Sequence, residues 1–228
     1  MDHAFAFAGA HLRAMACGAL HWPDQRLLVV SDLHFGKSAR LARRGGALLP
    51  PYETRETLLR LDQALEVTGA QRVICLGDSF DDLQAEAELE ETDRLWLIRL
   101  MAGRDWIWIA GNHDPGPGHI GGSHRSDMRL AGLTFRHMAE TPGGEVSGHF
   151  HPKARLAGQS RPCFLIDGDA RLILPAFGAY TGGLWCGATA LDAVMGPGAL
   201  AVLTGPRALP LPYAAACQSS PRSSSLAR

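Results

Sequence analysis

The chain has 228 residues, 46% hydrophobic and 20% charged, with a formal net charge of −1. That length suits one domain with a large buried core, and the balance is that of an ordinary globular protein. It excludes a global basic field able to hold a polyanion non-specifically, so any nucleic-acid contact has to be local.

Leu27 to Ser31 (LLVVS) reads as a short buried strand with Asp32 at its carboxyl end. Residues 36–50 read as a loop with four cations, Lys37, Arg40, Arg43 and Arg44. Pro50-Pro51 opens a helix, because proline is tolerated in a first turn. Leu58, Leu61 and Leu65 repeat at helical spacing and face the core, and Gly69 ends the helix. Val73 to Leu76 is a second strand leading to Asp78. Residues 84–101 form an acidic-then-apolar helix, with Leu89, Trp96 and Leu100 near one face. Trp106 to Ala110 (WIWIA) is a third strand leading to Asn112 and His113. This βαβαβ order predicts a parallel sheet with covering helices.

The second half is β-rich. Short apolar runs at Leu133–Met138, Glu145–Ser147, Cys163–Ile166, Arg171–Leu174 and Ala199–Leu203 are separated by Gly, Pro and Asp. Two sheets packed face to face with helices outside are expected, in a single domain over residues 1–213. Residues 214–228, rich in Ser, read as a disordered tail. The five cysteines are odd in number, scattered and without a CxxC pair, which fits a reducing compartment and argues against disulfides or a thiolate zinc site. No secretory leader and no membrane-length apolar run is read, so a soluble, cytoplasmic protein without membrane partners is expected.

In an open α/β sheet, ligand sites form at the carboxyl ends of strands, where Asp32, Asp78 and Asn112 all fall. His34 stands two residues after Asp32, and His149 and His151 share the same i, i+2 relation, which puts both on one face of an extended segment. They can reach one metal each, or both reach the same one. Oxygen and imidazole ligands without sulfur suit manganese, iron or zinc, and their number suffices for two ions. Asp78 is the candidate bridge. Two adjacent metals point to hydrolysis at phosphate, with an activated water attacking phosphorus. His113 is placed to protonate the departing oxygen, and Asp114 to orient its imidazole.

Each stretch also has a plain reading. Gly-Asp is ordinarily a turn, Gly-Asn-His-Asp a turn with a helix cap, and Gly-His-Phe-His a strand edge. Their combination, in order and each after a strand, is what favours a metal site. The cations at 37, 40, 43 and 44 either hold substrate phosphates or form a solvated basic loop. Asp81 and Asp82 either hold a hydrogen bond to a metal-binding side chain or cap a helix, and the cap is favoured. His3, His11, His21, His119 and His124 have no partner pattern.

These stretches (Asp32-Leu33-His34, Gly77-Asp78, Gly111-Asn112-His113-Asp114, His137 and Gly148-His149-Phe150-His151) resemble the motif set of the calcineurin-like metallophosphoesterase superfamily. The resemblance implies a four-layer α/β/β/α sandwich of two mixed β-sheets flanked by helices, with a dinuclear metal centre. It implies Asp32, His34 and His151 on one metal, Asn112, His137 and His149 on the other, Asp78 between them, and His113 as catalytic histidine. His137 is supported only by Phe135-Arg136-His137 at a strand end, so His119 and His124 stay in competition for its role. Further stretches, LHWPDQRLLVVSDLHFGKS, LLPPYET, LGDSFDD, SGHFHPKARL and LILPAFGAYTGGL, look like the bacterial ligase-associated DNA damage response endonucleases of the PdeM type. That implies a manganese-dependent phosphodiesterase, with DNA or a small nucleotide-like diester as substrate and with a DNA ligase, a helicase and a second nuclease as functional partners. A homo-oligomer is compatible with the sequence. Two other readings stand beside it: a nucleotide pyrophosphatase or phosphomonoesterase using the same centre, and a non-catalytic nucleic-acid-binding partner in a repair complex.

Overall fold

Leu27, Leu28, Val29 and Val30 are all fully buried, on both faces of one strand. Such a run has to lie inside a sheet covered on both sides. The computed structural model of the chain shows this arrangement and describes residues 1–45, 52–82, 84–114 and 119–219.

In chain order the strands of the first sheet are β1 (His3–Phe7), β2 (Ala10–Ala14), β3 (Leu20–Trp22), β4 (Leu27–Val30), β5 (Arg72–Leu76), β6 (Asp105–Ile109) and β7 (Ser123–Arg125). They lie side by side in that order. The first four pair antiparallel, and β4 to β7 pair parallel. The helices α1 (Lys37–Arg43), α2 (Glu53–Thr68) and α3 (Glu91–Met101) fall between these strands in sequence. The second sheet holds β8 (Asp127–Leu130), β9 (Leu133–Arg136), β10 (Glu145–Ser147), β11 (Lys153–Leu156), β12 (Gln159–Asp167), β13 (Arg171–Ile173), β14 (Leu200–Leu203) and β15 (Leu209–Pro212). Its order is β15-β14-β12-β13-β10-β9-β8, with β11 paired to β12. Strands β9, β10 and β13 run parallel and the others antiparallel. Helices α4 (Thr189–Asp192) and α5 (Tyr213–Ser219) belong to this half.

Strand alternation sorts the apolar residues into three cores. Leu27, Val29, Ile74, Leu76, Ile107 and Ile109 meet Phe135, Val146, Phe164, Leu172 and Val202 between the sheets. The opposite faces, Leu28, Val30, Val73, Cys75, Trp106 and Trp108, pack on Leu58, Leu61, Leu65, Leu97 and Leu100 of α2 and α3. Behind the second sheet, Cys163, Leu165, Ile173 and Leu203 meet Leu191, Tyr213 and Ala216. The result is the four-layer α/β/β/α sandwich of two mixed sheets.

Four local expectations change. The segment after Gly36 is a helix over Lys37–Arg43, not a loop. The Glu53 carboxylate accepts from the Ser38 amide at 3.0 Å and the Ser38 hydroxyl at 2.7 Å, capping its start from a distant helix. The acidic segment 84–90 is turn, because Asp82 accepts from the amides of Gln84 and Ala85 and the helix begins only at Glu91. Residues 213–219 are helical, not disordered: the Ala214–Ala216 run has high helix propensity, and the Tyr213 hydroxyl donates to Asp192 at 2.8 Å. Strands β1 to β3 precede the anticipated βαβαβ unit. The Pro50-Pro51 helix start lies outside the described residues, and α2 is described from Glu53. All five cysteines are free, and among the described residues no helix is long and apolar enough to cross a membrane.

The two sheets share one core through Phe164, which is fully buried. Phe164→Ala is expected to destabilise the protein by about 3–5 kcal/mol, read as a lower urea midpoint with unchanged slope.

Candidate metal centre

The expected ligands come from five strand ends. Asp32 and His34 follow β4, Asp78 follows β5, Asn112 follows β6, His137 follows β9, and His149 and His151 follow β10. Both sheets therefore deliver side chains to one edge. The loops are tied together by main-chain bonds: the His34 amide donates to Asp78 O at 2.9 Å, and the Gly148 amide to His137 O at 2.9 Å. Gly148 is required by close approach, since a Cβ there would lie 1.7 Å from Ser31 Oγ and 2.6 Å from Asp32 Oδ2.

The backbone at this edge is strained. Asp32, His34, Asp78, His149 and His151 have φ of 51°, 46°, 47°, 68° and 46°. Positive φ is unfavourable for a residue with a side chain and persists only where surrounding structure imposes it.

Three groups of atoms that could hold a metal result among the described residues: Asp32, His34 and His151 form the first, Asp78, His137 and His149 the second, and His34, Asp81 and His113 a third that shares His34 with the first. In the first, His151 Nε2 lies 2.9 Å from Asp32 Oδ1, yet that oxygen has no hydrogen-bond partner. The other Asp32 oxygen accepts from the Ser31 hydroxyl at 2.5 Å and the His149 amide at 3.0 Å. His34 Nδ1 donates to Asp81 Oδ1 at 2.7 Å, which leaves its buried Nε2 lone pair without a partner. In the second group, His137 Nδ1 donates to Leu76 O at 2.8 Å. Its Nε2 then faces Asn112 Oδ1 at 2.9 Å, a His149 ring nitrogen at 3.2 Å and Asp78 Oδ2 at 3.4 Å. Oxygen and nitrogen atoms converging at such distances are a donor set that a cation would satisfy. The oxygen and imidazole donors fit a divalent metal of the manganese, iron or zinc type.

Burial would raise the Asp32 carboxyl, but the His151 imidazole outweighs it and holds the group below the usual carboxylate range. Burial likewise opposes ionisation of Asp78, and contact with His137 reverses this, holding it well below the usual range. His149 is lowered by burial and by His137. Burial would lower the His137 imidazole too, but the Asp78 and Asp32 carboxylates outweigh it and raise that group; a metal here would require both carboxylates anionic and both imidazoles neutral.

His137 lies in the ligand groups; His119 and His124 do not, among the described residues. The His113 amide donates to Asp78 Oδ1 at 2.8 Å, and its Nδ1 donates to the Asp81 carbonyl at 2.8 Å. Asp114 does not serve as the partner of that Nδ1. Its oxygens accept from the amides of Ser79, Phe80 and Gly111 at 2.8, 3.2 and 3.2 Å, tying the Asp78 loop to the Asn112 loop. Burial pushes the Asp114 carboxyl up to about 6 against the pull of these amides.

Asp81 is more than a cap. It is fully buried and holds His34 on one oxygen and Arg40 on the other. The only hint in sequence is its place three residues after Asp78. Arg43 pairs with Asp82 at 2.6 Å and with Glu88, and Lys37 lies 4.0 Å from Asp81. The cations expected to hold substrate phosphate are thus largely neutralised within the protein, while Arg44 is exposed.

The sequence profile of the Calcineurin-like phosphoesterase family matches residues 25–169. The chain belongs to that family. This calcineurin-like phosphoesterase is also similar in structure to the Pseudomonas putida nuclease MPE, with 29% identity and a TM-score of 0.73 over 92% of this chain and 100% of that one. No curated protein matches the chain at comparable stringency. Family and neighbour together make it a metal-dependent phosphoester hydrolase, which displaces the reading as a non-catalytic partner.

Because Asp81 fixes the His34 ring, Asp81→Asn is expected to weaken Mn2+ binding by about 10–100-fold. Calorimetric titration measures this, and unchanged affinity in a folded variant removes the assigned role.

Proposed function

We propose that this phosphoesterase is a dinuclear phosphodiesterase, a nuclease linked to DNA repair. The observation carrying this reading is the pair of groups in which carboxylate oxygens and imidazole nitrogens from both sheets converge within 4.8 Å of one another. Asp32, His34 and His151 would hold one ion, Asn112, His137 and His149 the other, and Asp78 would bridge. Two divalent cations, Mn2+ first among them, supply Lewis acidity at the phosphoryl oxygens and lower the pKa of the attacking water.

The protein's own groups do the rest. His113 Nδ1–H is fixed on the Asp81 carbonyl, so its Nε2 is the atom able to pass a proton to the leaving oxygen. Its amide orients the Asp78 carboxylate. A cavity of about 250 Å³ is lined by Asn112, Ser126, His137 and Met138, among others. Another of about 410 Å³ is lined by His149 and His151, among others. Both border candidate ligands, which suits a substrate that extends beyond the phosphorus. The similarity to a nuclease supports a nucleic-acid or other phosphodiester substrate; the association with a DNA ligase, a helicase and a second nuclease is what the sequence resemblance to ligase-associated endonucleases implies.

Hydrolysis of bis-p-nitrophenyl phosphate with Mn2+ tests the reading. Asp78→Ala is expected to abolish it, and activity surviving that change sinks the assignment. His113→Ala is expected to lose about 10²–10⁴-fold on an oligonucleotide and less on the p-nitrophenyl ester, whose leaving group needs no proton.

A further inference from the structure

We propose that Trp185, Lys153 and Arg155 form a track that holds single-stranded polynucleotide beside the metal ligands, a step that rests on the phosphodiesterase reading above. Strand β11 continues the ligand loop directly, so Lys153 stands two residues after His151. The segment carrying Trp185 is fastened to it. The Lys153 amide donates to Leu184 O at 2.9 Å, the Leu184 amide to Phe150 O at 3.2 Å, and the Cys186 amide to Lys153 O at 2.9 Å. A Cβ on Gly183 would lie 2.0 Å from His151 O, so this segment approaches the ligand as closely as a backbone can. The indole therefore has a fixed place relative to the centre.

Lys153 and Arg155 are two apart on β11 and share a face, while Ala154 between them is fully buried. Lys153 Nζ sits 4.6 Å and Arg155 Cζ 5.5 Å from the Trp185 ring centroid. Trp185 is half-buried. Neither cation has a carboxylate within ion-pair distance among the described residues, whereas Arg40 and Arg43 of α1 are both paired. The uncompensated positive charge thus lies on the β11 side of the site. Two cations held over one ring repel each other, and a polyanion relieves that repulsion. An aromatic ring flanked by cations is the arrangement that binds single strands: bases stack on the ring while phosphates meet the charges. A cavity of about 410 Å³ lined by His149, Phe150, His151, Gly183, Leu184 and Ala190 opens beside the ligands, and Leu184 of its wall is the chain neighbour of Trp185.

The test uses the full chain with Mn2+ and compares two readouts. One is affinity for fluorescein-labelled oligothymidylate by anisotropy over a salt series. The other is hydrolysis of bis-p-nitrophenyl phosphate, which needs the centre but not the track. Trp185→Ala is expected to weaken oligonucleotide binding about tenfold, with Trp185→Phe retaining most of the affinity. Lys153→Ala with Arg155→Ala should weaken it and reduce the salt slope by about 1–2. Diester hydrolysis should be unchanged in all of them, which also shows that they fold. Unchanged oligonucleotide affinity in both variants, or no binding by the unaltered protein, overturns the track. Binding that depends on these residues in a protein that cleaves no diester would sustain the track and remove the phosphodiesterase reading.

Discussion

Imidazole nitrogens, carboxylate oxygens and an amide oxygen crowded at one edge are the condition around which this molecule is built. His137 Nε2 alone faces an amide oxygen, a carboxylate oxygen and a second ring nitrogen, all within 3.4 Å. Unpaired buried acceptors and strained dihedrals each cost free energy, so the surroundings have to hold them. Three hydrophobic cores and a mesh of loop-to-loop amide bonds supply that hold. The Nδ1 protons of His34, His113 and His137 are each committed to an oxygen. That commitment frees each Nε2 and fixes its direction.

The parts legible in sequence are those in which chemistry and local pattern coincide. Asp32, Asp78 and Asn112 each follow an apolar run, and such runs become parallel strands whose carboxyl ends share one edge. His149 and His151 are marked by their own i, i+2 spacing. For Asp81 a supporting hydrogen bond was conceivable but less favoured than a helix cap, and His34 was not legible as its partner because the bond joins residues 47 apart in the chain. Helix α1 was missed for the same reason: its cap, Glu53, lies on another helix. Strands β1 and β2 did carry alternation, with exposed and buried positions interleaved, but they are short and lie before the first motif. Asp114 was given the wrong partner because adjacency in sequence suggested His113, while the turn aims its oxygens at the Asp78 loop.

The fate of the basic segment shows how charge count and charge availability differ. Four cations stand near the first ligand pair in sequence, yet Arg40 and Arg43 are matched by Asp81, Asp82 and Glu88 in space. Lys153 and Arg155 attract little notice in sequence but are left with an indole in place of a carboxylate. Electrostatic steering depends on the second kind of charge.

The ligands are also divided between the two sheets. Asp32, His34, Asp78 and Asn112 come from the first, and His137, His149 and His151 from the second. The groups Asp32, His34, His151 and Asp78, His137, His149 each take members from both. Ions held there would act as rivets across the seam, joining halves that otherwise meet through side-chain packing and loop contacts. By mass action such rivets favour the closed seam over any opened state. The cation supply would then set the mechanical cohesion of the sandwich as well as its chemistry.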